Sequence, residues 1–344
     1  MHQKKDKKVK IGITHGDYNG IGYELILKSF LDKRILGFFV PVIYGSSKLA
    51  SYYRKTLKMP ELSYNIIRDA TQARANKPNL INITNEELKI EMGKIDEKAG
   101  EMAHLALEKA VEDLQAGKID VLVTAPIHKQ SIHSDKFDFP GHTEFLTKKC
   151  HVKTDGTLMI MLKDKLRIAM ATGHIPIREI AETITEELLS RKLHLFEHSL
   201  QKDFGIQKPK IAVLGLNPHA GDQGVIGDED SKLIRPTIKK LQDEGMHVFG
   251  PYPSDGLFGS GKYTEFDGIL AMYHDQGMLP FKLLAFDDGV NYTAGLPIVR
   301  TSPAHGTAFD IVGKNKADIQ SFRNALYTAL EIYHNRHNEV YDMK

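Results

Sequence analysis

The chain has almost no cysteine. Cys150 is alone among 344 residues, which excludes an internal disulfide and suits a reducing cytosol. Cys150 itself reads as a small buried residue and not as a nucleophile. No apolar run approaches the length of a membrane span, and the N-terminus carries no signal-peptide core, so a cytoplasmic protein off the membrane is expected. An excess of one charge is also missing. The formal net charge is +2, which gives no reason to expect a nucleic-acid partner. The basic cluster KKDKKVK at residues 4–10 is short and reads as a solvated tail. Neither CxxC nor HExxH occurs, and the glycines of GDYNGIGYE are spaced GxxxGxG. The common metal motifs and the Rossmann dinucleotide fingerprint are thereby excluded.

What is present is a hydrophobic content of 41%, ample for a core, over a length that favours two domains. Five apolar runs end at or near a histidine: KIGITHGD, IDVLVTAPIHK, LRIAMATGHIP, KIAVLGLNPHAG and GILAMYHDQG. Strands apolar on both faces imply a parallel sheet covered by helices. In such folds ligands bind beyond the carboxyl ends of the strands. His15, His128, His174, His219 and His274 stand at those ends. A single histidine there ordinarily hydrogen-bonds a loop. His174, His219 and His274 are the strongest metal trio, because each sits in a tight turn: TGHIP, NPHAG and YHDQG. Three imidazoles leave an open coordination position, as in a catalytic site.

Helices alternate with these strands. The spacing predicts helices over 97–116, 186–203 (with Thr185 as N-cap) and about 317–337. A fourth, over 230–244, is expected to break or start late at Pro236. GHTEF reads as a helix start capped by Thr143, where free N–H groups favour an anion. The expected division is 1–139 with 289–344 as one α/β domain and 140–288 as the other, which carries the three histidines.

Several long strings, in this order, carry a resemblance: FPGHTEFLT, ATGHIPIREI, LNPHAGDQGVIGDED, AMYHDQGMLPFK, VNYTAGLPIVRTS and HGTAFDIVGKNKAD. The chain resembles the 4-hydroxythreonine-4-phosphate dehydrogenase family. HGTAFDIVGK also resembles the adenosine-binding loop of the wider isocitrate and isopropylmalate dehydrogenase superfamily. The resemblance implies two α/β/α domains with an active-site cleft between them. It implies divalent-metal ligands (Zn, Co, Mn or Mg) at His174, His219 and His274. It implies substrate contacts at His142, Thr143, Lys282, Asn291 and Arg300, with Asp255 close by. His305, Gly306, Thr307 and Asp310 fall on the NAD or NADP side. It further implies a homodimer whose metal ligands are shared between subunits. One departure stands out. The family usually reads GDPAGIGPE where this chain has GDYNGIGYE, with Tyr18, Asn19 and Tyr23.

The implied chemistry oxidises a secondary alcohol next to a phosphorylated carbon, then loses CO2 from the β-keto acid, in pyridoxal phosphate biosynthesis. Lys282 and Asp255 are the catalytic candidates, Lys282 as proton donor or charge stabiliser and Asp255 as a carboxylate near the metal or the substrate amine. A sister enzyme acting on threonate or erythronate 4-phosphate keeps the same motifs. A zinc hydrolase is disfavoured by the HGTAFDIVGK loop, since a hydrolase needs no dinucleotide. A non-catalytic phospho-sugar binder has no use for an open metal position.

Overall fold

The computed structural model describes residues 8–133, 137, 139, 141–153 and 155–337. In chain order the first elements are β1 (Lys10–Thr14), α1 (Gly22–Ser29), β2 (Val40–Gly45), α2 (Ser47–Thr56), β3 (Asn65–Ile67) and β4 (Asn79–Asn82). Then come α3 (Glu97–Gln115), β5 (Val121–Thr124), α4 (Lys129–Ile132), α5 (His142–Lys149), β6 (Leu158–Lys163) and β7 (Leu166–Met170). They are followed by α6 (Ile177–Thr183), α7 (Glu186–Lys202), β8 (Ile211–Leu214), α8 (Arg235–Asp243), β9 (Val248–Tyr252) and α9 (Ser254–Gly259). The chain closes with β10 (Gly268–Ala271), α10 (His274–Leu284), β11 (Val290–Ala294), β12 (Arg300–Pro303) and α11 (Gln320–His337).

Two compact units result, Met1–His151 with Pro297–Tyr333, and Val152–Leu296 with His334–Lys344. Both are α/β, as the alternating pattern implies. The boundaries differ from those expected at 140 and 289. Helix α5 groups with the first unit. Strand β11 groups with the second, because it pairs with β6 from Val290 to Ala294, and a cut at 289 would sever that ladder.

In the first unit the strand order is β3-β4-β2-β1-β5-β12, and each pair is parallel. Every residue of β2 and β5 is buried, so a covering layer is needed on both faces. Helix α3 packs on β1, β2 and β5. Asp96 caps it by accepting from the Lys98 N–H. Ala99, Met102, Ala103, Ala106, Ala110 and Leu114 form its buried stripe. Gly117, at φ +67°, ends it, as a C′ glycine does. A side chain at Gly100 would lie 1.7 Å from the Ser131 carbonyl oxygen, so α4 can pack here only against glycine.

In the second unit the order is β11-β6-β7-β10-β8-β9. This sheet is not wholly parallel. Strand β6 runs antiparallel to both β11 and β7. The two residues between β6 and β7 explain it: Asp164 takes φ +49°, a conformation suited to a tight hairpin and accessible to Asp. Thr185 caps α7 through the Leu188 N–H. The late start expected at Pro236 is found, with α8 beginning at Arg235. A π-helical turn, Asp230–Ile234, precedes α8, and the proline stands in the first turn of α8, where its missing N–H costs nothing. Helix α11 begins at Gln320, whose N–H donates to Asp318 Oδ1 at 2.6 Å.

Candidate functional site

In the first unit the site is built around a buried cation. Arg300 opens β12 and is 3% exposed. Its Nε and Nη2 donate to Thr124 Oγ1 at 3.1 and 2.7 Å. Thr124 ends the parallel neighbour β5, so the sheet itself brings the two together. Nη2 also donates to His142 Nδ1 at 3.2 Å. Desolvation, and then the Arg300 charge, hold the His142 imidazole well below the usual histidine range. It therefore stays neutral and can accept. Burial lowers the Arg300 guanidinium to about 10, and Glu144 opposes that shift. At neutral pH the group remains charged, and Thr124 and His142 are among its partners. A cation so placed attracts an anion strongly, because little water screens it.

The expected role of Thr143 as helix cap does not hold. Gly141 is the N-cap of α5 and no side chain caps it. Thr143 lies inside the first turn, and its carbonyl accepts from Thr147 Oγ1. The motif GHTEF placed the helix start correctly. It misassigned the cap because the helix begins before Thr143, at His142, which puts Thr143 inside the first turn.

The putting-together of His305, Gly306, Thr307 and Asp310 is also a first-unit matter. They lie between β12 and α11. His305 Nδ1 lies 3.0 Å from the Gly306 carbonyl oxygen. Thr307 is buried, and its carbonyl accepts from the Ile21 N–H at 3.1 Å. Asp310 is exposed.

In the second unit the histidines follow β7, β8 and β10 as expected. The His174 and His274 rings are 5.1 Å apart and tilted by 40°. His274 is the first residue of α10, and its Nδ1 lies 2.6 Å from Asp275 Oδ1. The carboxylate accepts, so Nδ1 is the donor in this contact. A carboxylate behind the ring is the support found at metal-ligating imidazoles. Gly277 lets α10 lie close to the sheet, since a Cβ there would sit 3.1 Å from Ala271, Ile168 and Met170 side-chain atoms. His219 stands apart from the pair. Among the described residues no three His, Cys, Asp or Glu side chains form a group able to hold a metal. The donor set therefore fits a metal in part: two imidazoles adjacent, the third ligand not supplied beside them.

His219 sits in an unusual turn. His219 to Gln223 all have positive φ, from 42° to 79°, a conformation that non-glycine residues rarely take. Asp230 holds the foot of this turn. It is fully buried and accepts from the Leu216 and Asn217 N–H groups at 2.8 and 2.9 Å. Sequence reasoning missed Asp230, Asp275 and Thr124. For Asp275 the adjacent HD pair was the available signal. For the other two, only the fold brings them to their partners.

Lys282 is half-buried on α10, its Nζ 5.8 Å from the Phe286 ring centre. Burial lowers its ammonium pKa. Asn291, on β11, has a buried Oδ1 without a hydrogen-bond partner among the described residues. An orphaned acceptor of this kind asks for a donor from a ligand or water. Its neighbour Tyr292 points to the opposite face and is tied there to Asp203 and Arg336 at 2.6 and 2.8 Å. Asp255 is exposed in the first turn of α9. Cys150 is half-buried and not enclosed as expected. No helix among the described residues is long and apolar enough to cross a membrane.

A sequence profile described as "Pyridoxal phosphate biosynthetic protein PdxA" matches residues 38–329. The chain is 52% identical over 335 residues to a 4-hydroxythreonine-4-phosphate dehydrogenase of Bacteroides thetaiotaomicron, covering 97% of this chain and 92% of that one. It is 35% identical to a D-threonate 4-phosphate dehydrogenase of Salmonella typhimurium, over 94% of this chain and 98% of the relative. The crystal structure of a 4-hydroxythreonine-4-phosphate dehydrogenase from Klebsiella pneumoniae matches with a TM-score of 0.80 at 32% identity, over 95% of this chain and all of that one.

Proposed function

The chain belongs to the pyridoxal phosphate biosynthetic PdxA family, whose members are NAD(P)-dependent dehydrogenases, and we propose that it oxidises 4-phosphooxy-threonine and decarboxylates the product to 3-amino-2-oxopropyl phosphate. The secondary alcohol gives a hydride to NAD or NADP and a proton to a base. The resulting β-keto acid loses CO2, and the carbanion-equivalent carbon next to the new ketone takes up a proton.

The observation that carries the reading is the buried Arg300 cation held beside His142 at the start of α5. It supports a phosphate anchor in which Arg300 and the α5 N–H groups bind, and neutral His142 contributes through its ring. Asn291 orients the substrate through its orphaned Oδ1. Lys282, with a lowered pKa, is suited to supply a proton or balance charge during decarboxylation. Asp255 is the carboxylate assigned to the substrate amine. His174 and His274 would hold a divalent ion with His219. Such an ion, when bound, supplies Lewis acidity toward the substrate hydroxyl. His305, Gly306, Thr307 and Asp310 form the nucleotide side.

The homodimer belongs to the same proposal. Among the described residues His174 and His274 stand together without forming a group of three metal-binding side chains, which supports delivery of His219 by a second copy. The second unit also exposes apolar side chains: Leu279 and Leu283, one turn apart on α10, and Phe286, at 64%, 79% and 70% exposure. Groups of this kind mark interaction surfaces.

A sister reading, oxidation of threonate 4-phosphate, is favoured by relatives named D-threonate 4-phosphate dehydrogenase, at 35% identity in Salmonella typhimurium and Pectobacterium atrosepticum. That substrate carries a hydroxyl in place of the amine. A panel of 4-phosphooxy-threonine, D-threonate 4-phosphate and erythronate 4-phosphate, each with NAD and NADP, separates them when NAD(P)H and CO2 are both followed. Turnover of the amino substrate at least about tenfold better in kcat/KM is expected. A preference for D-threonate 4-phosphate would overturn the reading.

A further inference from the structure

The departure at residues 18 and 19 is used in the fold. Both side chains are buried, and both reach the irregular segment 83–96 that leads from β4 to α3. Asn19 makes three bonds to it. Its Oδ1 accepts from the Glu91 N–H at 2.9 Å, its Nδ2 donates to the Lys94 carbonyl at 3.3 Å, and its own carbonyl accepts from the Gly93 N–H at 2.9 Å. Tyr18 Oη donates to the Lys89 carbonyl at 3.2 Å and lies 3.4 Å from Asp96 Oδ2. The proline and alanine of the usual motif have no side-chain groups for such bonds.

Both partners of this junction also touch the stretch 305–313. A Cβ on Gly20 would lie 2.9 Å from the Thr307 carbonyl oxygen, and the next residue, Ile21, donates its N–H to that same oxygen. On the other side, a Cβ on Gly93 would lie 2.8 Å from the Phe309 carbonyl oxygen. The Phe309 ring stacks on His128, with centres 5.1 Å apart and planes within 14°. The stretch is thus gripped by the 15–22 loop and by a strap that the same loop ties down.

We propose that Asn19 and Tyr18 are positioning residues for the dinucleotide: by tying segment 89–96 to the loop at 16–22, they fix the shape of the 305–313 stretch that receives NAD or NADP. The inference rests on the assignment of His305, Gly306, Thr307 and Asp310 to the nucleotide side. Neither residue touches the reacting atoms. Their loss therefore weakens nucleotide binding and leaves the phosphorylated substrate's site intact.

The test is Asn19→Ala in the full chain, with Tyr18→Phe as a milder variant that keeps the ring. Two side-chain bonds of ordinary strength correspond to a rise of about tenfold in the KM and calorimetric Kd for the nucleotide in Asn19→Ala. A rise of roughly threefold is expected in Tyr18→Phe, which loses one. The kcat and the KM for the phosphorylated substrate should stay within about twofold of the parent. Asp310→Ala tests the underlying assignment separately. If it leaves nucleotide binding unchanged, that assignment fails. If Asn19→Ala and Tyr18→Phe leave nucleotide Kd unchanged, the inference is overturned whatever Asp310→Ala does. It is equally overturned if both KM values and kcat worsen together, because that is the signature of general destabilisation.

Discussion

The two units solve the problem of holding charge in opposite ways. In the first, Arg300 is buried and charged, with Thr124 and His142 among the groups that fix it. Those two contacts are made within one chain. In the second, His174 and His219 are exposed, and His274 is partly so. Two rings stand together and the third stands elsewhere. An anion anchor can be preorganised because a single sheet brings β5 and β12 side by side. A three-histidine set needs three loops to converge, and one chain here brings two. The lesson is that a buried cluster is held by its own sheet, whereas exposed histidines on separate loops are not brought together by the sheet alone.

The strongest way to break this comparison is at the second unit. Chelation should abolish turnover, and zinc, cobalt, manganese or magnesium should restore it. His219→Ala should lower kcat by about a thousandfold or more, by removing a ligand of the Lewis acid. It should also lower the bound metal per chain, read by elemental analysis. Full activity in a metal-free sample would end the metal assignment.

Next is a test of where the third ligand comes from. His174 and His274 are adjacent in one chain, so two inactive proteins lacking one of them each should not rescue each other. Mixing His174→Ala with His219→Ala should succeed, since each hybrid dimer would then hold one intact site. With free exchange, about one quarter of parent activity is expected. Exchange without recovery would place all ligands in one protomer, and recovery in the 174/274 mixture would contradict the pairing.

Arg300 sharpens the other half. Arg300→Ala should weaken the phosphorylated substrate by about 1.5–3 kcal/mol, or roughly ten- to a hundredfold, and its dephospho analogue much less. Arg300→Lys should rescue poorly, because lysine cannot reproduce the planar fork on Thr124 and His142. Lys282→Ala should show a similar preference for the phosphorylated ligand with a further loss in kcat. Equal losses for both ligands would show that neither residue reads the phosphate.

The smallest effect is on stability. Burial lowers His15 to about 4, and its ring stacks on Tyr23 at 5.3 Å. The unfolded chain takes up this proton near 6.5, and the folded chain only near 4. The stability that neutral His15 preserves is therefore complete above about pH 6.5 and is lost as pH falls toward 4. The loss by pH 5 should be on the order of 1–2 kcal/mol. Melting temperatures between pH 7.5 and 4.5 should fall less steeply in His15→Asn than in the parent. Parallel slopes would remove His15 from the account.

The strand ends and their histidines were legible because a doubly buried strand needs an unbroken apolar run, and a turn after it needs Gly or Pro. The helices over 97–116 and 186–203 were legible because 3.6-residue spacing and local caps are written along the chain. The cap of α5 was not. Choosing Thr143 over Gly141 turns on one backbone conformation, which composition does not reveal. The antiparallel β6 was hidden for a similar reason, since apolar runs in either direction look alike.

Sequence alone determined the α/β class, the residue types at the strand ends and, through long ordered strings, the family. Those follow from local periodicity and from motifs read along the chain. Only the tertiary structure decided that Arg300 meets Thr124 and His142, that Asp230 holds the His219 turn, and that His174 pairs with His274 and not with all three together. Such contacts join residues up to 176 positions apart. Which distant loops meet depends on strand order and on how closely helices pack, and neither is written in any local stretch of residues.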